Sequence, residues 1–226
     1  MTVIDASRFN LDSPELEARV EALVGPPGQW QSRRDLQLAL LGEFGLTERT
    51  RFLDLGCGSL RLGLPLIDHL APGHYTGVDI DPDCITAAQG LIDSFGLLGK
   101  APTVLRSSSF GFDELSGRAR FDMIWIFQVF IHLTDEHVRN AMRAIAALLA
   151  EGGAAYGTAF VNDQLETLER RGNWRHYSLA HAPLAYYRER AAEHGLALEG
   201  VGAIDKDGWT AARQPVTLSM MKMTRA

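Results

Sequence analysis

Gly56-Cys57-Gly58 follows the apolar run Phe52-Leu53-Asp54-Leu55. Glycines at such a place let the chain turn tightly and let a ligand touch the main chain. The stretch after them reads as a helix, so the same ligand also meets free N–H groups at a helix N-terminus. Asp79 closes the next apolar run. A carboxylate at that position accepts hydrogen bonds from both hydroxyls of a ribose. The chemistry these residues fit is recognition of an adenosine-bearing nucleotide.

Two nucleotide classes use this geometry. Dinucleotide enzymes favour G-x-G-x-x-G, whose third glycine allows close helix packing; Arg61 stands in that place here. Asp54, two residues before the first glycine, is poorly suited to a pyrophosphate and well suited to an ammonium group. S-adenosylmethionine (SAM) carries an ammonium, a sulfonium and an adenosine, and no phosphate.

The elements that must position these residues alternate. Asp12 and Glu15 have capping-box spacing, and Leu16, Val20, Leu23 and Val24 recur at helical intervals. Gly25-Pro26-Pro27-Gly28 breaks that helix. A second one begins at Trp30, carries Leu36, Leu40 and Leu41 on one face, and ends near Gly45. From Arg51 onward strands and helices take turns. Strands are expected over Arg51–Leu55, Tyr75–Ile80, Thr103–Arg106, Phe121–Phe127 and Ala154–Phe160. Helices are expected over Leu60–Leu70 (Pro65 moves its regular part toward Leu62), Pro82 to about Phe95, and Thr134 to Ala150 with Gly152-Gly153 ending it. Residues 161–182 form a polar insertion. A helix around Leu184–His194 and strands near Leu198–Ala203 and Val216–Met223 follow. The last two strands are joined without a helix, across Ile204–Pro215, and so make an antiparallel pair. Strands alternating with helices imply a parallel α/β sheet.

LDLGCGS followed by GVDID resembles the class I SAM-dependent methyltransferases. FDMIWIFQVFIHL resembles their fourth-strand motif, and LLAEGGAAYGTAF is similar to their fifth-strand segment. The resemblance spans Arg51 to about Phe160. LGCGSLR together with Trp174-Arg175-His176-Tyr177-Ser178 is similar to a bacterial subgroup of mostly unassigned substrate. The resemblance implies an α/β three-layer Rossmann-like sandwich: a seven-stranded, mostly parallel sheet with one antiparallel C-terminal strand. It implies SAM as cofactor. Gly56, Cys57 and Gly58 would line the methionine and ribose through backbone contacts, and Asp54 would orient the ammonium through water or the loop backbone. Asp79 would hold the ribose, and Ile80 would pack on adenine. Where the family often carries an acid after strand three, this chain has Ser107-Ser108-Ser109-Phe110, so a serine hydroxyl or a backbone carbonyl meets the adenine instead. Gln128 is expected near the sulfonium.

Each of these residues has a plainer reading. Asp79 is also placed to flank a helix, and Cys57 is a loop spacer, since nothing nearby in sequence supplies a base. Ser107–Ser109 is either an adenine contact or a plain loop. His132, just past strand four, is a general base, a substrate-orienting group or a cap for the next helix. His176 and Tyr177 lie in the insertion as substrate wall or surface loop. The His132/His137 and His176/His181 pairs lack the spacing of a helical metal pair, so no metal is expected. Phe130 and Trp125 are aromatic candidates for facing a sulfonium. Residues 1–49 are a helical preface, either a lid over the cofactor or a helix pair on the sheet flank.

Composition narrows the rest. The 226 residues include 22 basic and 28 acidic side chains, for a formal charge of −6. That length fits a single domain over residues 1–226. At 46% apolar and 22% charged the chain is globular in type. Its longest apolar runs are far too short for a bilayer, and MTVIDASRFN lacks a signal-peptide pattern. Two cysteines make no disulfide framework, so a cytoplasmic, reducing setting is expected. The acidic balance, and Gln128-Val129-Phe130 where DNA amino-methyltransferases carry Pro-Pro-aromatic, argue against nucleic acid. The expected reaction is in-line SN2 methyl transfer to a small molecule. Alternatives are a SAM-consuming enzyme that releases methylthioadenosine, a noncatalytic SAM-binding module, and a nicotinamide oxidoreductase, the last disfavoured by Arg61 and Asp54. Monomer and homodimer stay equally open.

Overall fold

The computed structural model describes residues 4–11, 13–107, 112–115, 117, 120–174, 177–205, 208–210 and 216–226. The chain divides into two compact units, Met1–Ser107 and Ser108–Ala226.

The first unit opens with α1 (Pro14–Val24) and α2 (Trp30–Glu43). The Ser13 hydroxyl caps α1 by accepting the Leu16 N–H at 3.3 Å, and Pro14 takes the first helical position, where its missing N–H costs nothing. The helix therefore starts one residue later than a cap at Asp12 would place it; Asp12 lies outside the described residues. Then come β1 (Phe52–Leu55), α3 (Gly63–His69), β2 (Tyr75–Asp79), α4 (Pro82–Ser94) and β3 (Thr103–Arg106). Pro65 falls in the first turn of α3, so the regular helix begins at Gly63. Asp81 caps α4 by accepting the Asp83 N–H at 2.8 Å. The strands run parallel in the order β3-β2-β1. β1 is buried along its whole length, as a parallel strand covered on both faces should be. α1 packs against α4, and Phe9 meets Phe95 with ring centroids 5.4 Å apart.

The second unit holds β4 (Phe121–Ile126), α5 (Asp135–Leu148), β5 (Leu149–Val161), β6 (Glu169–Trp174), β7 (Tyr177–Ala182), α6 (Leu184–Ala192), β8 (Leu196–Asp205), β9 (Gly208–Thr210) and β10 (Thr217–Arg225). Strand order is β4-β5-β10-β8-β9. β4 and β5 are parallel, while β10 runs antiparallel to both β5 and β8. The expected antiparallel pair is there, with β10 on the inner side of it.

Two expectations are corrected here. Gly152-Gly153 does not end α5, which stops at Leu148; the glycines lie inside β5. Register against β4 jumps from Phe121↔Leu149 to Met123↔Ala154, a bulge at the glycine pair. A Cβ on Gly153 would sit 2.8 Å from the Asp122 carbonyl oxygen, so the bulge needs glycine. The described residues also carry ten strands rather than seven. β6 and β7 pair as a hairpin, and β7 adds to the end of β5 at Phe160↔His181 and Val161↔Ala182. β9 is a three-residue strand on β8 in the stretch read as a loop. Glu169, Arg170 and Arg171 hide β6 because a polar run gives no strand alternation. The remaining seven strands, β1–β5, β8 and β10, make the fold an α/β Rossmann-like one, mostly parallel with an antiparallel C-terminal strand. No described helix is long and apolar enough to cross a membrane.

Candidate cofactor site

The glycine loop at the carboxyl end of β1 is pinned to β2. The Val78 carbonyl oxygen accepts N–H groups from Gly56 at 2.8 Å and Cys57 at 3.1 Å. The Asp79 carboxylate accepts the Gly58 N–H through Oδ2 at 2.8 Å and the Asp81 N–H through Oδ1 at 2.9 Å. The loop N–H groups at 56, 57 and 58 are thus engaged inside the protein. What the loop can offer a ligand is its carbonyl oxygens and its Cα surface. Gly58 has φ +55°, and a Cβ there would lie 2.4 Å from Val24 Cγ1 at the end of α1. Ser59 Oγ donates to the Val20 carbonyl at 3.0 Å. α1 therefore rests on the loop.

Asp79 ties the loop to the start of α4, and each of its oxygens keeps a lone pair for a further donor. Partial burial raises its pKa from the ordinary carboxylate value, with backbone N–H groups pulling the other way. Beside it Ile80 is 48% exposed, so its apolar side chain is open to solvent. The Arg106 guanidinium donates to the Ile80 carbonyl at 3.3 Å, and Ser107, buried, donates its N–H to the Asp79 carbonyl at 2.9 Å. Ser108, Ser109 and Phe110 lie outside the described residues.

Asp54 is buried within β1, and the Tyr75 hydroxyl donates to its Oδ2 at 2.9 Å. Burial pushes its pKa up to about 7; the Tyr75 hydrogen bond opposes the shift, the Asp79 charge adds to it and Arg61 lowers it. Cys57 is buried with its thiol against Gly77, and burial raises its pKa well above the usual thiol value. That environment makes it an inert spacer. Sequence reasoning missed Tyr75 as the partner of Asp54. In register Asp54 lies opposite Gly77, two residues from Tyr75, so the pairing was available only once strand register was known.

In the second unit Gln128 follows β4 with φ +59°, a left-handed conformation rare for this residue type. Its N–H donates to Thr158 Oγ1 on β5 at 2.7 Å, and Thr158 is fully buried. His132 ends the short turn Phe130–His132, and its carbonyl accepts Arg170 Nη1 from β6 at 2.9 Å. Its imidazole pKa is pushed below the ordinary value by the surrounding protein and then by the Arg170 charge, an effect damped by its exposure to water. Tyr177 opens β7, opposite Trp174, and His176 lies outside the described residues. Trp125 and Phe130, read as possible faces for a sulfonium, are fully buried. Trp125 stacks on Phe127 at 5.8 Å, and Phe130 meets Tyr187 edge-on at 5.9 Å. They serve the core of the second unit rather than a ligand.

A glycine loop tied to a strand-end carboxylate, beside parallel strands in this order, is the arrangement that Rossmann-like folds turn toward nucleotides. Residues 53–155 match the family model described as "Methyltransferase domain". The likeness to a methyltransferase domain is thus carried by the stretch from β1 into β5. Among solved structures, it is similar in fold to magnesium protoporphyrin IX methyltransferase (ChlM) from Synechocystis PCC 6803 with bound SAM. That match has 16% identity and TM-score 0.60, covering 96% of this chain and 86% of that one. A SAM-dependent methyltransferase from Clostridium acetobutylicum matches at 12% identity and TM-score 0.66, over 94% and 98% of the two chains. The glycopeptide N-methyltransferase MtfA matches at 12% identity and TM-score 0.65, over 96% and 99%.

Proposed function

We propose that this enzyme transfers the methyl group of SAM to a small-molecule acceptor by in-line displacement. The observation that carries the reading is the Asp79 carboxylate. It closes β2, is held rigidly by the Gly58 and Asp81 N–H groups, and retains lone pairs for two ribose hydroxyls. Ile80 supplies apolar surface for adenine. The carbonyls of the Gly56–Gly58 loop face the methionine and ribose, and Asp54 carries the charge that matches the ammonium. Ser108, Ser109 and Phe110 are assigned to the adenine rim, and Gln128 to the sulfonium side. Its strained backbone, held by Thr158, supports a positioning role.

Bound SAM supplies an electrophilic methyl group. His132 accepts the acceptor's proton where one must leave, and its downward-shifted pKa keeps the imidazole neutral at neutral pH. His176 and Tyr177 form part of the acceptor wall. A small acceptor suits the −6 charge. Two proteins of similar fold, magnesium protoporphyrin IX methyltransferase and the glycopeptide N-methyltransferase MtfA, are named for acceptors other than nucleic acid.

Mass spectrometry of the full chain incubated with SAM, with and without fractionated metabolite extract, tests this. Expected products are S-adenosylhomocysteine and one extract component heavier by a methylene. Methylthioadenosine formed without any acceptor would replace methyl transfer by the non-methylating use of SAM. Tight binding with no product would leave a noncatalytic module.

A further inference from the structure

β8 departs from regular pairing at one residue. Met220 of β10 pairs with Gly202 and Met221 pairs with Gly200, so Val201 is left over as a bulge. Glycine on both sides of the bulge keeps side chains off that part of the strand. At Gly200 the missing side chain admits a neighbour: a Cβ there would lie 3.0 Å from Leu184 Cδ2 at the start of α6. Where the bulge, the end of β5 and the starts of β10 and α6 come together, the second unit holds a cavity of about 270 Å³. Its apolar lining includes Val161 and Met220, both buried, and half-buried Leu184. Its polar lining is Asp163, exposed, with half-buried Thr217 and Ser219.

Asp163 is the informative member. Its Oδ1 accepts the Leu184 N–H at 3.0 Å, one of the N–H groups that the first turn of α6 leaves without a helical partner. That bond fixes the carboxylate and leaves acceptor capacity on Oδ2. Among the described residues lining the cavity, Asp163 alone is charged. A bound anion would meet a carboxylate and no cation. One carboxylate and two hydroxyls are too few oxygens for a hard metal ion. An ammonium group on an apolar body matches both parts of the lining, and hydroxyl oxygens such as that of Ser219 can accept its remaining hydrogens. We propose that this cavity is a ligand site separate from the glycine loop, and that it takes a small organic amine whose ammonium meets Asp163 and whose apolar body lies against Val161, Leu184 and Met220. The volume stands at the small end of ligand pockets and suits a molecule of about ten heavy atoms. The site lies wholly within the second unit and does not depend on the identity of the cofactor.

Methyl NMR of the full chain, titrated at low ionic strength with phenethylamine, phenethyl alcohol and hydrocinnamate, tests it. The three probes share a phenyl body and differ in their end group. Phenethylamine is expected to bind in the millimolar range and to shift the methyl signals of Val161, Leu184 and Met220. It should bind at least about threefold more tightly than the alcohol and at least about tenfold more tightly than the carboxylate, as one exposed charge warrants. Asp163→Asn should bring the three within about twofold, while its amide oxygen still accepts the Leu184 N–H and keeps the α6 cap. Added salt should narrow the wild-type preference. Equal wild-type affinities for amine and alcohol, shifts that miss the three methyl-bearing residues, or a preference that survives in Asp163→Asn overturn the proposal. So does a wild type that binds no probe at about 10 mM. The wild-type comparison needs no variant, and methyl signals away from the cavity report that the variant is folded.

Discussion

Burial of Asp54 writes a pH signature into the protein. Its folded pKa, about 7, stands above the unfolded value of 3.8, so the folded state binds the extra proton between those limits. Stability contributed by the protonated form is full below about pH 4 and is lost as pH rises through 7. Asp54→Asn, which cannot ionise and still accepts from Tyr75, should therefore melt on the order of 5 °C above the wild type at pH 8, with the gap narrowing steadily as pH falls toward 4. Melting curves of the ligand-free proteins decide it; a constant gap would remove the ionisation of Asp54 as the cause. Asp79 carries two duties, and its variants should show both. Asp79→Ala should weaken SAM binding by about a hundredfold or more and cost about 1–3 kcal/mol of stability, because the Gly58 and Asp81 N–H groups lose their acceptor. Unaltered binding by the folded variant would refute the ribose role. His132→Ala should keep SAM affinity and slow turnover; a mutant of wild-type rate would exclude it as the base. At this scale the sequence announced Asp79 and Asp54, because strand ends and glycine loops fix where such groups must lie. It did not announce Tyr75, whose hold on Asp54 comes from strand register and burial, and burial is a property of packing.

α1 and the glycine loop form one mechanical unit, and a small change at their contact tests it. Gly58→Ala places a methyl 2.4 Å from Val24 Cγ1 and holds a non-glycine residue at φ +55°. The clash and the left-handed backbone should together cost about 2–4 kcal/mol. Adding Val24→Ala removes the offending methyl, so the double variant should recover about 1 kcal/mol or more relative to the sum of the single changes. Additive losses in chemical denaturation would mean that α1 does not press on the loop. Helix starts were legible in sequence wherever a capping side chain preceded proline, as at Asp81-Pro82 and Ser13-Pro14, with the α1 cap misplaced by one residue. The long strand β5 was not. Its glycine pair reads as a helix stop, because a bulge and a helix terminus both favour glycine, and only register against β4 tells them apart. The β6–β7 hairpin was hidden for a different reason: a two-stranded ribbon carrying charged side chains needs no apolar alternation.

For the whole molecule, the parallel strand–helix alternation gave the architecture, and motif spacing gave the cofactor class. The acceptor was not legible: the residues proposed to line its site are placed around β6 and β7, where sequence periodicity is weakest. One feature of the second unit bears on how the protein is made. β10 lies between β5 and β8, although it follows both in the chain. While the polypeptide leaves the ribosome, β5 and β8 therefore emerge with their inner edges bare, and each can be satisfied only by a strand not yet translated. Removal of residues 217–226 freezes that stage. Such a truncated product should aggregate in expression, while its first unit, whose strands β3, β2 and β1 pair side by side well before β10 in the chain, should retain protease-resistant fragments. Messenger lesions or stalls that cut synthesis short of β10 would thus leave not a weakened enzyme but an adhesive one, exposing two open edges to whatever chain is nearby.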